Sequence, residues 1–377
     1  MRLGDVCTLV NGYAFKPTDW TTGGLPIIRI QNLNDENAPF NYYDGEIEDK
    51  YLVNNGDLLF AWSGTPGTSF GAFFWERGRG VLNQHIFNVY PNDILLKSYF
   101  RYVLNGNIDR IIEKAHGGVG LQHITKKELI EIDIPIPSKH EQQTIVKILD
   151  RVNTLIFLRK QQLAKLDELV KARFVELFGD PVVNTMGWNT DTVNNLCRDI
   201  YGGGTPSKAH PEYYENGDIP WVSSKDMKTD ILYDSQIKIN QLGVDNSTAK
   251  MVPVNSVIMV IRSGILKHTL PVAINAVPIT VNQDLKVFIP NHKILPLFLL
   301  FLFKMLEKDI LTGVRAVTAD NIEFNSLKER FVIVPPIELQ NQFAAFVEQT
   351  DKSKSAIQQS LDKLETLKKA LMQKYFG

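Results

Sequence analysis

Two segments of the chain place apolar residues at alternating intervals of three and four positions. Arg159 and Arg173 interrupt the first series, and Thr350, Lys354 and Lys368 interrupt the second. The apolar members of the first series are Leu149, Val152, Ile156, Leu163, Leu166, Val170 and Leu177. Those of the second series are Val347, Ile357, Leu361, Leu364, Leu371 and Tyr375. This spacing is typical of a coiled-coil seam, so the pattern predicts two long helices.

Each predicted helix is roughly 36 to 40 residues long, or about 55 Å at ~1.5 Å per residue. This is far longer than an ordinary helix of a globular protein, so each predicted helix must pair with another. The first helix leads from a first domain into a second, and the second helix starts where the second domain ends. A compact pairing is therefore antiparallel and returns Gly377 toward Met1. We expect a rod with one domain at each end.

The second half of the chain repeats landmarks of the first half. The first helix closes on the series Leu163, Leu166, Leu169, Ala172, Phe178 and Gly179. The chain ends on the same series at a constant offset, Leu361, Leu364, Leu367, Ala370, Phe376 and Gly377. Further matches are Cys7 with Cys197, Pro26 with Pro220, Trp62-Ser63-Gly64 with Arg262-Ser263-Gly264, and Asn83-Gln84 with Asn282-Gln283. Such self-similarity predicts an internal pseudo-two-fold repeat, one scaffold that carries two different surfaces.

Short β-like runs separated by turn residues fill the segments outside the long helices. These runs are Leu25 to Ile30, Asp57 to Trp62, Ile86 to Tyr90, Val254 to Arg262 and Leu285 to Ile289. Each domain then has one predicted late helix, Lys97 to Glu113 or Leu295 to Leu311, followed by a loop, Ala115 to His123 or Thr312 to Asn321. The predicted fold class is α+β, with two β-rich α/β domains separated by a long antiparallel two-helix coiled coil. The predicted bounds are 1–139 for the first domain, 140–180 for the central spacer helix, 181–336 for the second domain and 337–377 for the C-terminal spacer helix.

The charge balance is close to neutral, with 41 Lys and Arg against 42 Asp and Glu and a formal net charge of −1. This lowers the expectation of a nucleic-acid-binding protein without removing it. If DNA is the ligand, its contacts must come from local clusters on loops. Part of the charge that neutralises phosphates would then belong to a partner subunit.

Cysteine usage and hydropathy exclude several classes of protein. Cys7 and Cys197 occupy equivalent repeat positions in separate domains, so they are expected as small buried residues rather than as a disulfide. No Cys-x-x-Cys or His-x-x-x-His spacing indicates a structural zinc site. No leader opens the chain and no apolar run is long enough to span a bilayer, so the sequence predicts a soluble, cytoplasmic protein that does not contact membranes.

The repeated landmarks resemble those of a known family. In the second half they are the Gly202-Gly203-Gly204-Thr205-Pro206 loop, the Ile219-Pro220-Trp221-Val222-Ser223 strand, Arg262-Ser263-Gly264, Asn282-Gln283 and Val334-Pro335-Pro336, with the two Gln-rich helix starts. In this order, twice and over the whole chain, they resemble the specificity (S) subunits of type I restriction-modification systems, full-length with two target-recognition domains. The first half departs from the pattern, because Asn11-Gly12-Tyr13 stands where the second half has the Gly-Thr-Pro loop.

The resemblance implies a subunit that reads double-stranded DNA and performs no catalysis. Each target-recognition domain would read one half-site of a bipartite target, and the coiled coil would be both the spacer ruler and the docking surface for two methyltransferase (M) subunits. Two restriction (R) subunits would be further partners. S-adenosylmethionine, ATP and magnesium would bind to those partners and not to this subunit. The chain has neither a Gly-x-x-x-x-Gly-Lys-Ser/Thr loop nor the Asn/Asp-Pro-Pro-Tyr run of an amino-methyltransferase, which agrees with this division of labour.

Loop residues that can make paired contacts with bases are the candidates for DNA binding, because Arg or Lys suits guanine and Asn or Gln suits adenine. In the first domain they are Gln31, Asn32, Arg77, Arg79, His85, Gln122 and His123. In the second domain they are Ser223, Lys225, Arg262, Lys267, His268, Arg315 and Asn321. For each of them the alternative is a solvated surface residue or a turn-stabilising hydrogen bond. Trp62 and Trp221 are expected as core anchors rather than base-stacking platforms.

Two other functions fit part of the pattern. A non-catalytic protein-protein scaffold, with two binding domains on a coiled-coil rod, agrees with the near-neutral charge. A stand-alone sequence-specific enzyme would need catalytic motifs that the chain lacks. The scaffold predicts no retention of DNA, whereas a recognition subunit predicts DNA binding that weakens steeply with salt.

Overall fold

The structure is a computed structural model that describes residues 1–64, 69–118, 121–312, 315–316 and 320–377. Within these ranges, the side chains of residues 117–118, 121–122, 315–316 and 320 are not described. The chain forms two compact units. Unit 1 contains Met1–Gln161 and Gln358–Gly377, and unit 2 contains Gln162–Ile357. Each unit therefore combines one globular part with segments of both long helices.

Unit 1 is built from short strands followed by helices. Its strands are β1 Cys7–Asn11, β2 Leu25–Ile28, β3 Asn41–Tyr43, β4 Leu52–Val53, β5 Leu58–Ala61, β6 Ser63–Gly64, β7 Gly71–Phe74, β8 Gly80–Leu82, β9 Ile86–Pro91, β10 His116–Gly118 and β11 Leu121–His123. Its helices are α1 Ile30–Asn34, α2 Lys97–Gly106, α3 Ile108–Glu113, α4 Lys126–Ile130 and the first part of α5 Lys139–Phe178.

Three sheets organise unit 1. One has the antiparallel order β1-β9-β5-β7, a second the order β3-β2-β8-β4 with β2 and β8 parallel, and a third the order β10-β11-β6. The core forms where apolar side chains of the first sheet pack against α2, because alternate residues of β5 and β9 point to the same face. Tyr99 and Phe100 of α2 are fully buried there.

Unit 2 repeats this composition. Its strands are β12 Thr190–Thr192, β13 Cys197–Gly202, β14 Ile219–Val222, β15 Ile231–Leu232, β16 Lys238–Ile239, β17 Val257–Val260, β18 Val272–Asn275, β19 Thr280–Val281, β20 Leu285–Pro290, β21 Arg315–Ala316, β22 Asp320–Asn321 and β23 Phe331–Ile333. Its helices are α6 Gln241–Asp245, α7 Pro296–Met305, α8 Glu307–Thr312, α9 Phe324–Glu329 and the first part of α10 Ile337–Phe376.

The main sheets of the two units have the same strand order. In unit 2, β13, β20, β17 and β18 are neighbours in the positions that β1, β9, β5 and β7 hold in unit 1, and β15 adds a fifth strand. The parallel pair β14 and β19 corresponds to β2 and β8. The internal repeat predicted from the sequence is confirmed, as are the five strands predicted from its β-like runs.

The late helix of each domain is broken, which corrects the single helix predicted from the sequence. In unit 1, Asn107 separates α2 from α3, and its buried side chain donates to the main-chain oxygen of Val103 at 2.9 Å. In unit 2, Leu306 separates α7 from α8. The segments predicted as loops also contain paired strands, β10 with β11 and β21 with β22. Residues 119–120, 313–314 and 317–319 of those segments lie outside the described residues.

The two long helices each contain 40 residues. Their buried or half-buried positions follow the predicted three-four series without interruption. In α5 they include Gln142, Ile145, Leu149, Val152, Ile156, Arg159, Leu163, Leu166, Val170, Arg173 and Leu177. In α10 they include Gln340, Phe343, Val347, Thr350, Lys354, Ile357, Leu361, Leu364, Lys368, Leu371 and Tyr375. The polar residues that interrupt the apolar pattern therefore lie on the seam itself.

Inside unit 2 the two helix segments are antiparallel. Lys354 forms an ion pair with Asp167 at 2.6 Å, the guanidinium of Arg173 lies 5.7 Å from the Phe346 ring, and the Phe174 ring packs against another ring of α10. Successive contacts therefore join higher-numbered residues of α5 to lower-numbered residues of α10, as in an antiparallel pair. Inside unit 1, Lys160 pairs with Glu365 at 3.0 Å, and the start of α5 shares a core with the end of α10.

One buried glutamine at the start of each long helix joins it to its domain. Gln142 accepts a hydrogen bond from the Leu96 amide and donates to the Ile94 oxygen, both at 2.8 Å. Gln340 accepts from the Leu295 amide at 2.9 Å and donates to the oxygen of Lys293 at 3.1 Å. The side-chain amide of each glutamine also donates to the main-chain oxygen of the proline that stands two residues before the helix begins. The Gln-rich helix starts are therefore matched structural anchors, since both side chains are fully buried.

Cys7 and Cys197 lie in different units, and each is a half-buried free thiol. Burial raises the pKa of both thiols to about 12. Within the described part of the chain, no helix is both long enough and apolar enough to cross a membrane.

Candidate functional site

A parallel strand pair in each unit brings two loops to one edge of a sheet. In unit 1, β2 and β8 run side by side, and the Asn83 amide that follows β8 donates to the Ile28 oxygen at 3.1 Å. In unit 2, the Asn282 amide after β19 donates to the Val222 oxygen of β14 at 2.9 Å. The carboxyl ends of parallel strands point the same way, so the residues after both strands meet at this edge. This is where loop candidates from distant parts of each domain converge.

A glycine lets the chain cross that edge at close range in both units. A Cβ on Gly12 would lie 2.1 Å from the Asn83 oxygen, and a Cβ on Gly203 would lie 1.9 Å from the Val281 oxygen. A real side chain at either position would overlap the backbone, so glycine is required for this approach. The Asn11-Gly12-Tyr13 segment therefore occupies the same place in unit 1 as the glycine-rich loop in unit 2. The two halves differ in sequence here but share the backbone path.

Three of the predicted residues in unit 1 cluster after β2. The side-chain amides of Gln31 and Asn32 both donate to the Pro39 oxygen at 3.2 Å, and Arg77 donates to the Asn32 oxygen at 3.0 Å. Asn32 is 3% exposed, so its side chain closes the loop from inside. Gln31 is exposed, as is Arg79 two residues beyond Arg77. Hydrogen bonds to main-chain oxygens hold this group in place.

A second group in unit 1 surrounds Trp62. The Trp62 amide donates to the His85 oxygen at 3.2 Å, and their rings are 5.4 Å apart and edge-on. The strand β11, which carries Gln122 and His123, pairs with β6 directly after Trp62. The His123 ring lies 6.4 Å from that of His116. The structure thus brings His85, Gln122 and His123 together, although the side chain of Gln122 lies outside the described part.

Burial and a neighbouring imidazole change the acid-base properties of this second group. Partial burial, followed by the charge of His123, lowers the pKa of His85 from 6.5. Glu128 accepts hydrogen bonds from Thr125 and contacts the His116 ring, and these contacts lower its pKa to about 2. His85 is therefore neutral at physiological pH, so its ring can act as donor and acceptor at once.

Two of the predicted residues of unit 2, Ser223 and Arg262, donate hydrogen bonds to aspartate side chains. The Ser223 amide and hydroxyl both donate to Asp226, at 2.9 and 2.8 Å, which shapes the turn that exposes Lys225. Arg262 donates through Nε and Nη2 to one oxygen of Asp284, at 2.7 and 2.6 Å. This two-pronged ion pair orients the guanidinium, whose side chain is half exposed to solvent.

The remaining candidates of unit 2 flank Arg262. Asn321 forms a β-bridge with Arg262 and is exposed. Lys267 and His268 lie at the end of the short 3-10 helix after Arg262 and are both exposed. Arg315 lies in β21, which pairs with β22, and its side chain is outside the described part. Ser223, Lys225, Arg262, Lys267, His268 and Asn321 therefore all belong to loops and short elements around the strand edge.

Several residues of the site were not predicted. Asp284 holds Arg262, and the Asn11 side chain accepts a hydrogen bond from the Trp62 indole at 3.1 Å. A signal for Asp284 exists in the sequence, because it follows Asn282-Gln283 as His85 follows Asn83-Gln84. The prediction that Trp221 is a core anchor is confirmed, since it is 7% exposed, whereas Trp62 is only half-buried at the rim of the core.

No cluster of three or more His, Cys, Asp or Glu residues that could hold a metal ion occurs in the described ranges. The candidate site of each unit is instead an open, polar strand edge with aromatic and basic side chains. Such a surface suits a ligand that presents hydrogen-bonding groups and negative charge over an extended face.

The family model described as type I restriction modification DNA specificity domain matches the chain twice, over residues 1–168 and 186–367. The specificity subunit of the type I restriction enzyme EcoR124I/EcoR124II from Escherichia coli is 32% identical over 288 residues, which cover 72% of this chain and 67% of that protein. The EcoBI specificity subunit, also from Escherichia coli, is 22% identical over a match that covers 100% of this chain and 85% of that protein.

A solved structure has the same fold. The type I restriction-modification system S subunit from M. genitalium aligns with a TM-score of 0.59 at 16% sequence identity, covering 100% of this chain and 95% of that one. At this identity the likeness concerns the fold alone. The fold and the two family matches agree in covering both halves of the chain.

Proposed function

The chain belongs to the family of type I restriction modification DNA specificity domains, and on this premise we propose that it reads a bipartite DNA target, one half-site for each repeat. It is a type I restriction-modification specificity subunit, the non-catalytic DNA-recognition component of such a system. The observation that carries the proposal is that two strand edges share one backbone frame and differ in their side chains. A shared backbone frame with different side chains suits two domains that recognise different DNA sequences.

The candidate readers are the exposed residues of the two strand edges. In the first domain, 1–139, we propose Gln31, Arg79, His85 and His123 as base or phosphate contacts, with Asn32 and Arg77 holding the loop. In the second domain, 181–336, we propose Lys225, Arg262, Lys267, His268 and Asn321, with Ser223 shaping the turn. We add Gln122 to the first set and Arg315 to the second, because each lies on a strand next to the other candidates of its domain. Phosphate contacts would position the duplex, and contacts to base edges would specify the sequence.

The long helices, 140–180 and 337–377, are the proposed spacer and docking surface. Their continuous three-four seams support one antiparallel coiled coil that sets the distance between the half-sites. On α5, Leu155, Phe157 and Leu158 are exposed large apolar residues, which suit contact with another protein. We propose that two methyltransferase subunits dock on the helices and that two restriction subunits join them.

The partner subunits would supply the chemistry. S-adenosylmethionine, ATP and magnesium are expected to bind to those subunits, and we place the assembled complex in the cytoplasm, where the DNA is. The near-neutral charge of this chain agrees with a complex in which partner subunits neutralise part of the phosphate backbone.

Mapping of methylated adenine across the genome tests the proposal. Cells would express this chain with its methyltransferase subunit, and matched cells would express the methyltransferase subunit alone. We expect a bipartite motif that is present only with this chain. A methyltransferase that is active and bound to this chain but shows no chain-dependent motif would favour the protein-protein scaffold instead.

A salt titration separates the same two functions in vitro. Binding of the assembled complex to its motif should fall steeply with salt concentration, because phosphate contacts release counterions. A scaffold would retain no DNA at any salt concentration.

A further inference from the structure

The two repeats place different residues at the same pair of backbone positions. In unit 1 the Trp62 amide donates to the His85 oxygen at 3.2 Å, and in unit 2 the Arg262 amide donates to the Asp284 oxygen at 3.3 Å. Trp62 and Arg262 each precede a Ser-Gly step, and His85 and Asp284 each follow an Asn-Gln step. The frame around the pair is therefore common to both units, and only the side chains change.

The side chains of each pair contact one another by a different chemistry. Trp62 and His85 form an edge-on aromatic pair with ring centroids 5.4 Å apart. Arg262 and Asp284 form a two-pronged ion pair with distances of 2.7 and 2.6 Å. Both members differ between the repeats, and in each unit the two members contact one another. Two repeats that share a backbone but differ in the side chains at one place can bind different ligands at that place.

We propose that these two pairs determine the specificity of the two half-sites, with Arg262 reading a guanine in the second half-site and His85 a base edge in the first. Asp284 and Trp62 are positioning residues that act through those readers. This inference rests on the proposed function, and it names the residues that make the two domains different.

The geometry of the Arg262 ion pair leaves the guanidinium able to read guanine. Asp284 engages Nε and one N–H of Nη2. The second N–H of Nη2 and those of Nη1 form the fork that matches the O6 and N7 acceptors of guanine. Asp284 is itself held, because its amide donates to the Asn282 oxygen at 3.1 Å and its carboxylate accepts from the Asn282 amide at 3.3 Å. A buried asparagine, an aspartate and an arginine thus form one fixed chain from the core to the surface.

The geometry of the first pair favours recognition by a neutral imidazole. The Trp62 indole donates to Asn11 at 3.1 Å and stacks on Phe87, with ring centroids 5.5 Å apart, which fixes the ring beside His85. His85 is exposed at the strand edge, and its Nε2 lies 3.2 Å from the side-chain nitrogen of Gln84. A neutral ring that accepts this hydrogen bond presents its Nδ1–H as a donor to a base edge. This chemistry differs from that of a guanidinium, so the two domains should prefer different bases.

The test measures methylation by the complete complex on duplexes in which each base pair of one half-site is varied in turn. R262A should lower the discrimination for guanine at one position of the second half-site by roughly 10- to 100-fold and leave the first half-site unchanged. R262K should not restore it, because a lysine cannot form the fork. D284N should lower the same discrimination by a smaller factor. W62A and H85A should change only the first half-site.

Matched controls separate recognition from folding. R198A and D199N remove the same charges from exposed positions on β13 and should leave both half-sites unchanged. Each variant also leaves one of the two domains unaltered, and the preserved half-site preference of that domain shows that the subunit is folded and assembled. If R262A fails to assemble, D284N, which keeps the side-chain size, gives the result.

The outcomes differ from those of the proposed function. A motif that depends on the chain but is unchanged by R262A and D284N would overturn this inference and leave the proposed function intact. A change in the first half-site by R262A would overturn it as well. The absence of any chain-dependent motif with wild-type protein would overturn both.

Discussion

Asn282 and its counterpart Asn83 show how one residue type serves the scaffold in both repeats. Their amides make the same main-chain hydrogen bond across a parallel strand pair, and the Asn282 side chain is 7% exposed and bonded to Asp284. A matched pair with this geometry fixes the backbone, and the residue two positions later, His85 or Asp284, carries the difference. At the scale of single residues, recognition and scaffold therefore lie side by side in the sequence.

The first prediction concerns the protonation of His85. Its pKa should lie below 6.5, because partial burial and the neighbouring His123 disfavour the charged ring. The folded state therefore prefers the neutral form, and its contribution to stability is present above pH 6.5 and is lost as pH falls through the lowered pKa. An NMR titration of the imidazole signals, assigned with H85A, measures the midpoint. H123A should move it upward, and a wild-type midpoint at or above 6.5 would contradict the geometry.

The second prediction concerns the close-approach glycines. Gly12→Ala and Gly203→Ala should each destabilise the fold by roughly 1–3 kcal/mol, because the new Cβ would overlap a backbone oxygen. Urea denaturation of the purified protein measures the shift in midpoint. Gly264→Ala is the matched control, since its Cβ would meet nothing within 4 Å, and it should change stability by less than about 0.5 kcal/mol. Equal effects at all three positions would argue against the shared backbone path.

At the scale of elements, the seams of α5 and α10 carry polar residues in unequal environments. Lys354 pairs with Asp167, and although burial opposes its charge, this ion pair leaves its pKa raised. Lys368 occupies an equivalent seam position, but burial and the neighbouring Lys160 lower its pKa. The surroundings of Lys354 therefore favour its charged form, and those of Lys368 disfavour it. The apolar pattern of the sequence does not distinguish Lys354 from Lys368, since both interrupt the same series.

The third prediction compares these two lysines. Lys354→Met should destabilise the protein by about 1 kcal/mol, since it removes a partly screened ion pair, whereas Lys368→Met should be neutral or stabilising. Calorimetric melting measures both. The contribution of Lys368 to stability should rise with pH between its lowered pKa and 10.5, because Lys368 binds more protons in the unfolded chain there. The difference in stability between wild type and K368M isolates this rise from the opposite contribution of the Cys7 and Cys197 thiols, whose pKa is raised in the folded state. A larger loss for K368M than for K354M would refute the distinction.

At the scale of the whole molecule, the two long helices are shared by both units. Unit 1 takes the start of α5 and the end of α10, and unit 2 takes the remainder. Unit 1 is therefore made of two separate stretches of chain, whereas unit 2 is one continuous stretch. Each unit buries one terminal phenylalanine of the repeat in its core, Phe376 in unit 1 and Phe178 in unit 2. A change in helix length must be made in both helices to keep the seam in register.

The fourth prediction follows from the proposed spacer. Insertion of seven residues after Gln161 in α5 and after Ile357 in α10 keeps the heptad phase and lengthens the helices by about 10 Å. The unread spacer of the bipartite motif should grow by about three base pairs, with both half-sites unchanged. Mapping of methylated adenine gives the spacer directly, and seven-residue replacements at the same places serve as controls. An unchanged spacer with an active complex would exclude the helices as the ruler.

The sequence by itself determined the features that depend on local pattern. The three-four series predicted both long helices because an apolar stripe of this period can be buried only on one helix face. The repeated landmarks predicted two similar domains, and the alternation of β-like runs and turns predicted the main strands. These signals lie within a few residues of one another, so no knowledge of packing was needed.

The tertiary structure alone decided how distant segments meet. It broke the late helices at Asn107 and Leu306. It also turned the predicted loops into paired strands, one of which, β11, pairs with the distant strand β6. It joined Arg262 to Asp284 across 22 positions and left Trp62 at the rim of the core. Such contacts depend on which strands lie side by side, and sequence spacing carries no record of that.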